Sequence, residues 1–274
     1  LTGITIAGRA NGTTGASAFD LNLSTDLAID PSGNVYIADS FNSRIQFWQN
    51  GAFQGSTIAG IVTFRILYHE TNPSLTIFSG SGGIPNITLN VPYGLTRDPN
   101  SGILYIGDTY NNRVVRYRLG DLVGTVVAGG NWPRLNDTQL SAPGGLYFDS
   151  PSNSILIGNS AAHNIVRWVI GARNWILVAG NLNGTNGNTS MELNSPFGVA
   201  MDPMGNAYIA DRGNYRIQFF LAGQSTGVTI AGITGTIGIN STRFNWATFV
   251  TLDNQLNLYV ADTNNHRIQK FLRY

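Results

Sequence analysis

The sequence predicts an all-β fold: one β-propeller of five four-stranded blades spanning residues 1–274, with six blades as the alternative. Three observations predict it. A unit recurs five times, each unit holds short β-prone runs separated by turn residues, and the two termini complete one another.

The unit shows where five segments align: Asp30–Asp39, Asp98–Asp108, Asp149–Asn159, Asp202–Asp211 and Asp253–Asp262. Successive copies of the last residue lie 69, 51, 52 and 51 positions apart. Four copies continue into Asn-x-Arg, which pairs Asp39 with Arg44, Asp108 with Arg113, Asp211 with Arg216 and Asp262 with Arg267. The third copy has Asn159 and Asn164 in those places. An Ala-Gly mark closes a short apolar run in every unit, at Gly8, Gly60, Gly129, Gly180 and Gly232.

Each unit therefore reads as four strands, A to D. Strand A ends at an Asp-Pro-x-Gly-Asn type of turn. Strand B, of the Val-Tyr-Ile-Ala type, is apolar at nearly every position, as a sheet covered on both faces requires. Strand C keeps an aromatic column, Trp48, Tyr117, Trp168, Phe220 and Phe271, suited to packing between neighbouring sheets. The last unit stops after strand C, while residues 1–8 match 225–232 closely. Strand 1–8 is thus expected to complete the last blade and close the ring, or else to be donated to a neighbouring molecule.

Composition narrows the function classes. Only 11% of residues are charged, the net charge is +1, and Lys270 is the single lysine. Thirty asparagines and 33 glycines accompany them. With no basic patch, nucleic acid has no electrostatic footprint to bind. No run approaches the roughly 20 apolar residues needed to span a bilayer. The absence of cysteine removes disulfides, thiolate metal sites and a cysteine nucleophile. The N-terminus has no basic or apolar leader character, so a signal peptide is expected to have been removed or to lie outside this sequence.

The pattern Asp-x-x-Gly-Asn-(Val/Leu/Ala)-Tyr-(Ile/Val)-Ala-Asp-x-x-Asn-x-Arg-Ile-Gln resembles the NHL repeat, and Asn264-Asn265-His266-Arg267-Ile268 is the copy most similar to that family's namesake motif. The double glycine of Kelch repeats and the Gly-His and Trp-Asp of WD40 repeats are absent. The resemblance covers essentially the whole chain. It implies a propeller, usually of six blades, that binds protein, RNA or scaffold partners, with a minority of lyases and related hydrolases.

Nine of the fifteen acidic residues occupy the two repeated aspartate positions. Repetition in every blade points to turn chemistry rather than to a site, which is normally one constellation. His163 and His266 fill one repeat position two blades apart, so they do not converge on a zinc ion. The histidine set of the amidating lyases that share this fold cannot be carried over. No nucleophile elbow or phosphate-binding glycine loop occurs. The expectation is no catalytic, cofactor-binding or metal residue.

The positive signal lies between the Ala-Gly marks and the next strand A. Asn-x-(Ser/Thr) sequons occur there at Asn11, Asn22, Asn86, Asn136, Asn183, Asn188 and Asn240, at least one in each inter-blade loop. Strands alternate direction, so D-to-A and B-to-C loops share one face and N-glycans would crown it. The unit is broken once, by an inserted hairpin at about residues 61–80. Its apolar residues Phe64, Ile66, Tyr68, Leu75, Ile77 and Phe78 point both ways and are expected to contact another chain, a copy of the same protein first of all. The resulting expectation is a non-enzymatic, secreted, glycosylated module for protein binding or self-assembly. The alternative is a metal-dependent propeller hydrolase or lyase.

Overall fold

The computed structural model describes residues 7–9, 14–60, 88–121, 123–130, 136–265 and 267–272. It is an all-β, five-bladed propeller. Blade 1 comprises β1 (Ser24–Ile29), β2 (Val35–Asp39), β3 (Arg44–Trp48) and β4 (Ser56–Ala59). Blade 2 comprises β5 (Pro92–Arg97), β6 (Leu104–Asp108), β7 (Arg113–Tyr117) and β8 (Thr125–Gly129). Blade 3 comprises β9 (Pro143–Asp149), β10 (Ser154–Asn159), β11 (Asn164–Val169) and β12 (Ile176–Gly180). Blade 4 comprises β13 (Val199–Met201), β14 (Ala207–Asp211), β15 (Arg216–Phe220) and β16 (Gly227–Gly232). Blade 5 comprises β17 (Ala247–Leu252), β18 (Leu258–Asp262) and β19 (Arg267–Phe271) among the described residues.

Each sheet is an antiparallel meander, so the order of the four strands in space is their order in the chain. Strands β2, β6 and β10 are buried along their whole length, which is why they read as unbroken apolar runs. The core lies between blades rather than in one centre. Ile45 and Ala59 of blade 1 pack with Leu95 and Ile106 of blade 2, and the same layer repeats across blades 2 and 3, 3 and 4, and 4 and 5. The strand C aromatics Trp48, Tyr117, Trp168 and Phe220 are buried in these layers, and Phe271 is half-buried.

Residues 1–6 of the expected closing strand lie outside the described residues, as does the segment 61–80, where a hairpin is expected. Ala7 and Gly8 are described and sit where the other Ala-Gly marks sit. Ala7 packs on Val35, Ile37 and Trp48 of blade 1. A β-carbon on Gly8 would meet Leu21 Cδ1 at 3.3 Å, as one on Gly60 would meet Leu89 Cδ1 at 3.2 Å.

The innermost strands approach one another at one column, four residues before the first repeated aspartate. The column reads Asp26, Gly94, Gly145, Gly198 and Phe249. A β-carbon on Gly94 would strike the Gly144 carbonyl. One on Gly145 would lie 2.8 Å from Gly198 Cα, and one on Gly198 would lie 2.6 Å from the Thr248 carbonyl oxygen. Three interfaces therefore exclude any side chain here, and blade 5 carries a phenylalanine. Between blades 5 and 1 an apolar cleft of about 730 Å³ opens, lined by Ala7, Leu21, Leu27, Phe249 and Thr251 among others.

Candidate functional site at the channel mouth

The repeated carboxylates build the frame. The first aspartate of each unit closes its A-to-B turn. Asp30 accepts from the Ser32 and Asn34 amides at 2.9 and 3.0 Å, and Asp253 accepts from Gln255 and Asn257 at 3.0 and 2.9 Å. The Asn257 side chain holds the Asp253 carboxyl down at about 2.

The second aspartate joins three segments. Asp211 is fully buried, accepts the Asn194 amide at 2.7 Å, takes the Asn214 side-chain amide at 2.8 Å and pairs with Arg216 Nε at 2.7 Å. The Arg216 guanidinium then donates to the carbonyls of Asn188, Thr189 and Glu192, at 2.8, 2.8 and 3.0 Å. Asp39 with Arg44, Asp108 with Arg113 and Asp262 with Arg267 repeat the pair at 2.7, 2.7 and 2.8 Å. Burial pushes the carboxyls of Asp108 and Asp211 up, against the pull of their partners. In blade 3 the neutral pair replaces the ionic one: Asn159 Nδ2 donates to Asn164 Oδ1 at 3.0 Å, and Asn159 Oδ1 still accepts a loop amide, that of Ser141, at 2.6 Å. Each arginine thus pins the D-to-A loop of its own face, and that loop carries the sequons.

His163 belongs to this frame. It occupies the left-handed position that closes the B-to-C turn, with φ of 54°, and its Nδ1 accepts the Ser195 amide of blade 4 at 3.0 Å. Asn112 does the same for Ala142 of blade 3 at 2.9 Å. Burial lowers the His163 pKa, so the ring stays a neutral acceptor.

Beside the second aspartate runs a column that is nearly uniform: Ser40, Thr109, Ser160, Arg212 and Thr263. Three of its hydroxyls donate to a proline carbonyl at or just before the inner strand of the next blade. Ser40 reaches the Pro92 carbonyl at 2.6 Å, Thr109 the Pro143 carbonyl at 2.7 Å and Ser160 the Pro196 carbonyl at 2.7 Å. Blade 4 has an arginine instead and gives up that bond, worth about 1 kcal/mol.

The Arg212 guanidinium lies over two rings, 5.1 Å from the centroid of Phe197 and 4.9 Å from that of Trp246. Tyr93 of blade 2 meets Phe197 of blade 4 edge-on at 5.6 Å and Tyr110 at 6.5 Å. That contact skips a blade. It is possible because blade 3 has Gly144 in the same place, where a β-carbon would lie 2.8 Å from Phe197 Cδ2. Tyr110 and Trp246 are exposed, Phe197 is buried, and Arg212 is half-buried with its pKa lowered by that burial. Among the described residues no carboxylate pairs with Arg212 and none of its nitrogens is both sealed and unpartnered. The arrangement can hold an anionic group beside a cluster of aromatic rings.

A family model described as NHL repeat matches residues 193–220 and 244–271, the strand A to C segments of blades 4 and 5. NHL repeat-containing protein 3 of Mus musculus is 30% identical over 160 residues, which are 54% of this chain and 45% of that protein. Blades 4 and 5 match the NHL repeat, and the propeller is similar to an NHL repeat-containing protein. The chain spans less than half the length of that mouse relative. Solved structures share its fold at low identity. An auxiliary nutrient binding protein of Bacteroides ovatus matches 94% of the chain and 60% of its own, with TM-score 0.62 and 14% identity. Virginiamycin B lyase of Staphylococcus aureus matches 91% and 70%, with TM-score 0.54 and 13% identity. The propeller therefore shares its architecture with both a binding protein and a lyase, and the fold by itself does not choose between them.

Of the predicted sequons, Asn136, Asn183, Asn188 and Asn240 are exposed and Asn22 is half-buried, while Asn11 and Asn86 lie outside the described residues. So do Phe64, Ile66, Tyr68, Leu75, Ile77 and Phe78. Sequence reasoning missed Arg212 and its rings. The signal was available in one column, where four of five units carry a hydroxyl.

Proposed function

We propose that this propeller is a non-enzymatic, extracellular binding module that takes a protein partner at the channel mouth, within a glycan-bearing face. The observation that carries the reading is Arg212. It stands where three other units bind their neighbouring blade through a hydroxyl, so this unit gives up a structural bond for a cation set among aromatic rings. Tyr, Trp and Arg are the residues that concentrate binding energy at protein interfaces. The sequon loops support the same face. In Asn136, Asn183 and Asn240 the side-chain oxygen accepts the hydroxyl of the sequon threonine at 2.9, 2.8 and 3.1 Å, which leaves the amide nitrogen uncommitted.

Screening secreted and cell-surface ectodomains against the immobilised chain, wild type beside Arg212→Ser, tests the site. The reading requires an ectodomain that wild type retains and Arg212→Ser loses. Retention of the same set by both variants places binding elsewhere. Intact mass of protein from secreting cells, before and after enzymatic removal of N-glycans, tests the glycosylated face; unmodified Asn136 and Asn240 would remove it. Self-assembly through the 61–80 hairpin remains a separate proposal, checked by deleting residues 63–79 and measuring the mass in solution.

A further inference from the structure

We propose that Arg212 is a carboxylate receptor: the channel mouth binds one carboxylate of a protein ligand, held in the plane of the guanidinium while the ligand's apolar neighbour lies on Trp246 and Tyr110. The inference rests on the mouth being the binding site and adds the chemistry that it recognises.

Geometry is the first argument. The guanidinium carbon lies over two rings, 5.1 Å from the Phe197 centroid and 4.9 Å from the Trp246 centroid, so cation–π partners are already in place. What a ligand adds is a partner for the N–H donors, a planar fork that matches a carboxylate with two parallel bonds.

Charge is the second. Arg44, Arg113, Arg216 and Arg267 each hold a buried aspartate of their own blade. Among the described residues Arg212 has no such partner, although it is half-buried and partly desolvated. A cation in that state gains more from an arriving anion than a fully hydrated one does. Among the described residues Arg212 is the one cation set against this aromatic cluster, so a singly charged group is neutralised, whereas a phosphate dianion would retain excess charge among the rings of Tyr93, Tyr110 and Phe197.

Placement is the third. The aromatic surface around the arginine comes from three blades, with Tyr93 and Tyr110 from blade 2, Phe197 from blade 4 and Trp246 from blade 5. It is the place where the five-fold repetition of the mouth breaks down, and a break of that kind specifies one ligand orientation rather than five.

The full chain is titrated with phenylacetate, phenylacetamide, phenyl phosphate and glucuronate, following the Arg212 Nε–H resonance. Phenylacetate is expected to shift it saturably, with the neutral amide at least about tenfold weaker. Arg212→Ser, which restores the hydroxyl of the column and keeps the fold, should abolish binding, and Arg212→Lys should weaken it by about tenfold for want of the fork. Equal response to the amide, tighter binding of phenyl phosphate, or tighter binding of the sugar acid each overturns the proposal. Two short peptides separate the sources, one with a glutamate beside a phenylalanine and an amidated end, the other with a free C-terminal carboxylate after phenylalanine; binding of either supports the proposal and binding of neither overturns it. If an ectodomain needs Arg212 while phenylacetate binds no better than its amide, the mouth reading stands and the carboxylate assignment fails.

Discussion

The interface between blades 3 and 4 and the seam between blades 5 and 1 are made from the same repeat and behave differently. At the first, Gly145 lets the inner strands meet backbone to backbone, the Ser160 hydroxyl reaches the Pro196 carbonyl, and His163 accepts the Ser195 amide. Leu156, Ile165 and Leu193 fill the layer between the sheets without residual exposure. At the seam, Phe249 stands in the glycine column, Thr263 shares its hydroxyl with Thr248 of its own blade, and the apolar cleft remains between the strands. Leu27 and Ile29 stay exposed on the blade 1 side. A ring of near-identical units can thus concentrate its tightness in some interfaces and leave another open, through one residue per unit.

The sharpest way to break this contrast is to put a side chain where backbones touch. Gly145→Val should destabilise the protein by about 3 kcal/mol, because neither Gly198 nor the strand behind it can move aside. Phe249→Leu at the seam should cost under about 1.5 kcal/mol, since the open cleft absorbs a change of shape. Urea unfolding of both variants measures the difference. Equal losses would mean that the glycine column does not set interface tightness.

Blade 3 offers a second comparison, with its neutral Asn159–Asn164 pair against the ionic pairs of its neighbours. Asn159→Asp places a buried carboxylate with no cation and should destabilise by about 3 kcal/mol, and adding Asn164→Arg should recover most of that loss. The readout is the coupling energy in a double-mutant cycle. A cycle that closes with no coupling would show that the two positions are independent in this blade.

Asp26 sharpens the contrast from the other side, because blade 1 has a carboxylate in the glycine column. Its two oxygens accept the Leu95 amide of blade 2 and the Leu27 amide, both at 2.8 Å, and burial pushes its pKa up to about 7. A raised carboxyl pKa means that folding favours the protonated form. Its contribution is fully present below the unfolded value of 3.8 and is lost as pH rises through about 7. Relative to Asp26→Asn, wild type should lose stability between pH 4 and 7 and stay level above it, by at most about 2 kcal/mol given its partial exposure. A flat difference would place the ionised carboxylate in better surroundings than the cleft provides.

How much of this was legible in the sequence depends on whether the cause is local. The aspartate-led A-to-B turn and the Asp39–Arg44 type of pair declare themselves, because their partners lie within six residues and the pair recurs in four of the five units. The fold class follows from the same repetition. The glycine column is visible in three of the five units, but its meaning lies in the approach of a strand about 50 residues away, and nothing in one unit announces it. Arg212 shows the same limit. Its departure from Ser40, Thr109, Ser160 and Thr263 is visible, yet only the bonds from Ser40, Thr109 and Ser160 to the next blade reveal that the hydroxyl is structural and the arginine an exception. The cluster around it could not be read at all, since Tyr93 meets Phe197 across a blade through the missing side chain of Gly144.

The smallest effect expected belongs to the tight interface itself. His163 and Asn112 do the same work at successive interfaces, each accepting an amide of the next blade, but only the imidazole titrates. Burial lowers the His163 pKa below its ordinary 6.5, so the folded state favours the neutral ring. The unfolded chain takes up the proton first as pH falls, and stability is lost from about pH 6.5 downward, while above that it is fully present. Protonation also converts Nδ1 from acceptor to donor and sets it against the Ser195 amide, at a loss of about 1 kcal/mol. His163→Asn copies the blade 2 solution and should match wild type at pH 8 yet exceed it at pH 5. Comparing the two proteins at each pH cancels the titration of His69, His266 and every carboxylate that they share. If wild type and His163→Asn keep a constant difference from pH 8 to pH 5, the imidazole is not the acid-sensitive joint between blades 3 and 4.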